Sequence, residues 1–154
     1  LTISPERLFA DSEFGQRIAR EIEEESAVLA AENRRIEAEL TAEEKTLTER
    51  RATMPPQEFR ALADAFDARV QEFRTTQDAK TRALAQRREE ARAEFIEVII
   101  PILAGLMRET GASVILERST VFLSTNATDI TDLALQRVNA AIGDGSDLTP
   151  APPK

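Results

Sequence analysis

Apolar residues recur along this chain in two rhythms, one helical and one strand-like. Between residues 16 and 52, Ile22, Leu29 and Ile36 repeat at intervals of seven, and Asn33, Leu40, Leu47 and Met54 form a second, interleaved series. This spacing predicts a long amphipathic helix with a coiled-coil-like seam. The seam is imperfect, because Ser26 and Asn33 stand where apolar residues are expected and Glu43 falls in line with Leu29 and Ile36. Met54-Pro55-Pro56 ends the helix, since a residue before proline avoids the α region. Pro56 can open the next helix, and a connection this short predicts an antiparallel return. Phe59, Phe66 and Phe73 share one track of the return helix, and Leu62, Val70, Leu84, Ala91, Phe95, Val98 and Ile102 extend its apolar face to about Thr110.

The two helices are predicted to differ in length, at about 55 Å outgoing and about 80 Å returning. The surplus of the return helix is its apolar part, residues 95–107. Pro101 removes one helix hydrogen bond there and, with Gly105, predicts a hinge where rod meets base. The strand-like rhythm lies outside the rod. Leu1-Thr2-Ile3, Val114-Ile115-Leu116 and Val121-Phe122-Leu123 predict short strands, near 1–3, 113–117 and 120–124. Ser4 and Pro5 open a short helix carrying Leu8 and Phe9, and Gly111 caps the return helix. Thr128 or Asp129 caps a last helix over 129–142, with Ile130, Leu133, Leu135, Val138 and Ile142 as candidate buried positions and Gly143 at its end. The expected fold is α+β, mostly α. It comprises a helical hairpin over 16–97 with its tip at 54–56, a β-containing body from 1–15 and 98–143, and a flexible tail over 144–154. Three short strands leave open edges, so oligomerisation through the body would cover them together with the apolar 95–107 segment.

Composition narrows what such an object can do. The chain has 154 residues and a net charge of −8, which argues against a general nucleic-acid binder. It has no Cys and no His, so thiol chemistry, Ser–His relays and the usual zinc sets are excluded. The five glycines are scattered and form no phosphate loop. Glu23-Glu24-Glu25, Glu43-Glu44 and Glu89-Glu90 are neighbours that point different ways on a helix, which reads as a solvated face rather than a catalytic pair. No cofactor and no catalytic residue is expected. No run reaches the length of a membrane span. The chain begins Leu1-Thr2-Ile3 without Met, as a processed or a trimmed protein would. Arg82, Arg87, Arg88 and Arg92 form the densest basic stretch. They could grip an anionic ligand such as a lipid phosphate, or pair with acids of the first helix. The rods are the remaining candidate for function, as arms offering many weak contacts or as spacers of an adaptor.

The order of these pieces resembles one family. Leu1-Thr2-Ile3 feeds Pro5-Glu6-Arg7-Leu8-Phe9, then Ser12-Glu13-Phe14-Gly15 enters the long helix. Gly111-Ala112-Ser113-Val114-Ile115-Leu116-Glu117, Val121-Phe122-Leu123 and Asp129-Ile130-Thr131 follow the helical insertion. The chain thereby resembles the Skp/OmpH-like periplasmic chaperones of Gram-negative bacteria, from Leu1 to about Ile142. That resemblance implies a periplasmic, ATP-independent, homotrimeric holdase that keeps unfolded outer-membrane proteins in a cavity between helical tentacles. It implies that Ile3, Val114, Leu116, Val121 and Leu123 build the trimeric body with Leu133 and Val138 packed on it. Phe59, Leu62 and Phe66 would then lie in the distal tentacle as candidate client contacts. The best-known member is strongly basic, whereas the two rod helices here hold 19 acids and 15 bases. The resemblance also implies lipopolysaccharide or anionic lipid as a partner, at a site proposed for the family that Arg87-Arg88 resembles only in general, and the net charge of −8 weighs against it. Prefoldin-like chaperones also carry helical hairpins, but their β-hairpins lie between the two long helices, where this chain has only Met54-Pro55-Pro56. A structural or envelope-tethering adaptor is the alternative function.

Overall fold

The computed structural model describes residues 1–148, which divide into two compact units. One unit comprises Leu1–Glu21 and the chain from Arg88 onward; the other is Ile22–Arg87. In order, the elements are β1 (Thr2–Ile3), α1 (Pro5–Asp11), α2 (Glu13–Arg50), α3 (Pro56–Thr110), β2 (Leu116–Glu117) and α4 (Thr131–Ile142).

In the first unit, β1 and β2 run parallel, with Thr2 opposite Leu116 and Ile3 opposite Glu117. The Leu116 N–H donates to the Leu1 carbonyl at 2.9 Å, and the terminal ammonium donates to the Val114 carbonyl at 3.1 Å. The other edge of β1 is taken by the Ile130 N–H, which donates to the Thr2 carbonyl at 3.0 Å. Ser4 caps α1, with Pro5 at the first helical position. Ser12 separates α1 from α2: its hydroxyl donates to the Phe9 carbonyl at 2.8 Å and accepts the Gly15 N–H at 3.0 Å. Gly15 is required by this bend, because a Cβ there would overlap the Phe9 carbonyl. The core around it is aromatic. Phe9, Phe14 and Phe95 meet with ring centroids 5.3, 5.4 and 6.2 Å apart, mostly edge to face. Leu8, Ile99, Leu106, Ala134 and Val138 complete it.

Several expectations need correction here. The segment 113–117 is a strand only at Leu116–Glu117, and 120–124 forms no strand. A 3-10 turn at Arg118–Thr120 leads into irregular backbone, leaving Phe122 and Leu123 out in solvent. The 120–124 segment joins neither strand: the second edge of β1 is taken by Asp129–Ile130, and among the described residues the outer edge of β2 stays unpaired. The last helix starts at Thr131 rather than 129, and its packed face is Thr131, Ala134 and Val138, with Leu133 exposed. Small side chains win that face because α1 packs against it closely, and the Thr131 hydroxyl accepts the Ser4 N–H at 3.0 Å. The N-cap of α4 is Ile130, without a side-chain cap, rather than Thr128 or Asp129; the Asp129 carboxylate, one residue earlier, accepts the Thr131 N–H at 2.9 Å. Residues 144–148, expected in a flexible tail, are packed: Arg17 Nε donates to the Asp144 carbonyl at 2.7 Å and Gly145 is buried. Residues 149–154 of that tail lie outside the described residues. α3 continues through Pro101 and Gly105 and stops where Gly111 turns left-handed at φ 69°.

The second unit is the distal part of α2 and α3, joined at Pro55. Here the 3.6 period operates without a core. Leu29, Ile36, Leu40 and Leu47 of α2, and Phe59, Phe66, Val70 and Phe73 of α3, are only half-buried. Gln77 is the one buried residue of this unit among the described residues. Two helices can cover each other on one side only, so a hairpin has a seam but no interior.

Candidate functional site

Three ion pairs tie α2 to α3 along one flank of the hairpin. Glu25 accepts from Arg87, Glu32 from Lys80 at 2.6 Å, and Glu43 from Arg69. The members of each pair are equidistant in sequence from Pro56. The tip therefore acts as a mirror, and the register does not slip. The steps between pairs are seven and eleven residues on both helices. These are close to two and three turns, so all three stay on the same flank. Each pair is exposed enough that it adds little stability, but it fixes a geometry: rungs with apolar recesses between them.

The recess between the first two rungs is about 600 Å³ and is lined by Val28, Leu29, Ala83 and Leu84, with Glu24 and the rung residues at its margin. Val28 is 69% exposed although apolar and central to it. Between the second and third rungs lies a smaller recess of about 220 Å³, with Ile36, Leu40 and Phe73 as floor and Thr76 and Gln77 at its side. Gln77 is only 9% exposed, and its amide oxygen has no hydrogen-bond partner. The Asn33 amide oxygen is likewise buried and unpaired. A further open recess of about 530 Å³ is lined by Leu40, Phe66, Val70 and Phe73 with polar residues around them.

The predicted tentacle residues are thus partly brought together. Phe66 lines a recess, Leu62 is exposed, and Phe59 lies under the Arg51 guanidinium at 5.7 Å from its ring centre. The basic stretch is not assembled into one patch. Arg87 is held by Glu25 and Arg92 by Glu6 at 2.6 Å, while Arg82 and Arg88 are exposed. The rungs are not evident from the heptad pattern, although counting outward equally from Pro56 opposes the same acids and bases.

In the first unit, of the residues expected to build an oligomeric body, Ile3 is buried, Val121 is half-buried, and Val114, Leu116 and Leu123 are exposed. Leu116 joins Ile3, Pro5, Ile100, Leu103, Ala104, Met107 and Ile115 around an apolar recess of about 380 Å³. Among the described residues no helix is long and apolar enough to cross a membrane.

Comparison with known proteins agrees with this architecture. The family model described as outer membrane protein (OmpH-like) matches residues 1–138. No curated protein sequence matches significantly. The crystal structure of a candidate outer membrane chaperone (OmpH-like) from Caulobacter crescentus CB15 superposes with a TM-score of 0.85. It is 19% identical, and the match covers 92% of this chain and 84% of that one.

Proposed function

Because this chain belongs to the OmpH-like outer membrane protein family, we propose that it is an ATP-independent holdase of the periplasm that keeps unfolded outer-membrane proteins soluble. The observation that carries this reading is the hairpin unit without an apolar interior. Its Leu, Val and Phe residues remain half-exposed, in open recesses strung along the hairpin that together offer many weak contacts. Such a surface suits a polypeptide that has not yet buried its own apolar side chains. The first unit supports a homotrimer. Its two-stranded sheet, with Val114, Leu116, Phe122 and Leu123 exposed beside an apolar recess, is the surface that association between copies would cover.

The test is an aggregation assay in which a urea-unfolded outer-membrane barrel protein is diluted into buffer with the full-length chain, beside a solution mass measurement. Suppression of light scattering near one trimer per client, without nucleotide, is the expected result. Affinity should fall only modestly between about 0.05 and 0.5 M NaCl, because apolar contact survives screening that weakens exposed ion pairs. A chain that leaves aggregation unchanged and binds one folded partner would be an adaptor instead.

A further inference from the structure

The two recesses on the ion-paired flank have a spacing that constrains their occupant. Their midpoints, halfway between successive rungs, are nine residues apart on α2, about 13.5 Å along the helix. Four residues of extended chain cover about the same distance. Four is an even step, so the side chains at both ends of it leave an extended segment on the same face. We propose that this flank is a binding track for an extended polypeptide of alternating apolar and polar residues, which seats one apolar side chain at Val28–Leu84 and the one four positions on at Ile36–Phe73. The proposal rests on the holdase reading and specifies what such a holdase selects.

Two further observations constrain the occupant. Gln77 stands at the side of the second recess with its amide oxygen covered and without a donor, so that a turn of the side chain is needed before it can accept from a bound chain. An extended chain carries unpaired backbone N–H groups along its length, whereas a helix has spent its own within the turn. Charge points the same way as to sequence. The three bases of the flank, Arg69, Lys80 and Arg87, are each bound to a glutamate, and Glu24 and Glu72 stand in surplus at the recess margins. The polar face of the occupant is accordingly neutral or basic, and an acidic one is repelled. Period-two alternation of this kind is what a membrane-barrel strand requires, with one face toward lipid and the other toward the lumen, so the track reads the pattern that defines the client class.

The experiment uses the full-length protein and two fluorescent peptides of identical composition, built from Val, Leu, Thr, Asn and Lys. One alternates apolar and polar residues; the other places the same residues at helical period. Anisotropy titrations should show the alternating peptide binding about tenfold more tightly, the effect of losing one seated side chain. Val28→Glu and Thr76→Glu, both at exposed positions that leave the helices intact by circular dichroism, should each abolish that preference. The idea fails if the two peptides bind equally, or if both variants keep the preference, while the wild-type chain still suppresses barrel-protein aggregation; the holdase reading then stands without the track. If the wild type neither binds peptide nor suppresses aggregation, both are wrong. A change of oligomeric mass in Val28→Glu would show a second copy of the chain to be the occupant, which also overturns the proposal.

Discussion

Asp129 joins three parts of the first unit through one carboxylate. Its oxygens accept from the Thr131 hydroxyl at 2.6 Å, the Thr131 N–H and the Arg118 guanidinium. The Thr131 hydroxyl and N–H, with Arg118 behind them, hold the Asp129 carboxyl below the usual carboxylate range. A depressed folded pKa means that the contribution is fully present above the unfolded value, near 3.9, and is lost as pH falls through the lower folded one. The thermal midpoint of the wild type should therefore fall in acid more steeply than that of Asp129→Asn. Asp129→Ala should cost about 1–3 kcal/mol at neutral pH, the range for losing hydrogen bonds to a charged acceptor. Parallel midpoint curves for wild type and Asp129→Asn below pH 4 would remove this carboxylate from the account.

At the level of the element, the hairpin keeps polar groups where a more stable one would place leucine. Burying an amide oxygen without a partner costs about 1–3 kcal/mol, and Asn33 and Gln77 both do so within a unit that has no buried apolar residue to offset it. Gln77→Leu should slow hydrogen exchange of the amides between Ile22 and Arg87 by about tenfold, equivalent to about 1.4 kcal/mol. Unchanged exchange would mean that the amide is satisfied by water in solution. The same substitution removes the acceptor from the proposed track, so stability and recognition pull in opposite directions at this position.

The helices themselves were plain in the sequence, because Ile22, Leu29 and Ile36 repeat strictly and Met54-Pro55-Pro56 admits no continuation. The strands were not. Val121-Phe122-Leu123 has the composition of a strand, yet composition reports only a tendency: the outer edge of β2 stays unpaired among the described residues while this segment is irregular and largely exposed. The proposed binding surface is half legible. Phe66 was found from its track, whereas Val28 was overlooked because a single exposed valine looks ordinary until Ala83 and Leu84 are brought opposite it.

For the whole molecule, the proposed assembly and client capture rest on different units and should separate by mutation. Leu116 is 47% exposed and edges the apolar recess of the first unit. Leu116→Asp would place an unpaired charge in any interface formed there, so light scattering should show the trimer reduced to monomer while the α-helical spectrum persists. A wild type that is already monomeric would instead retire the trimer. The mirror at Pro56 has a consequence for how long the arms can be. Since each rung joins residues equally far from that proline, a one-residue insertion near the tip of the return arm alone would set Glu43 against Ala68, Glu32 against Ala79 and Glu25 against Gln86. Matched insertions, one in each arm, return every acid to its base, and those near a whole number of turns, such as seven or eleven residues, also keep the recesses on the same side. Arm length can therefore change only in paired, discrete steps, and the number of recesses, and with it the length of chain that can be held, changes in the same increments.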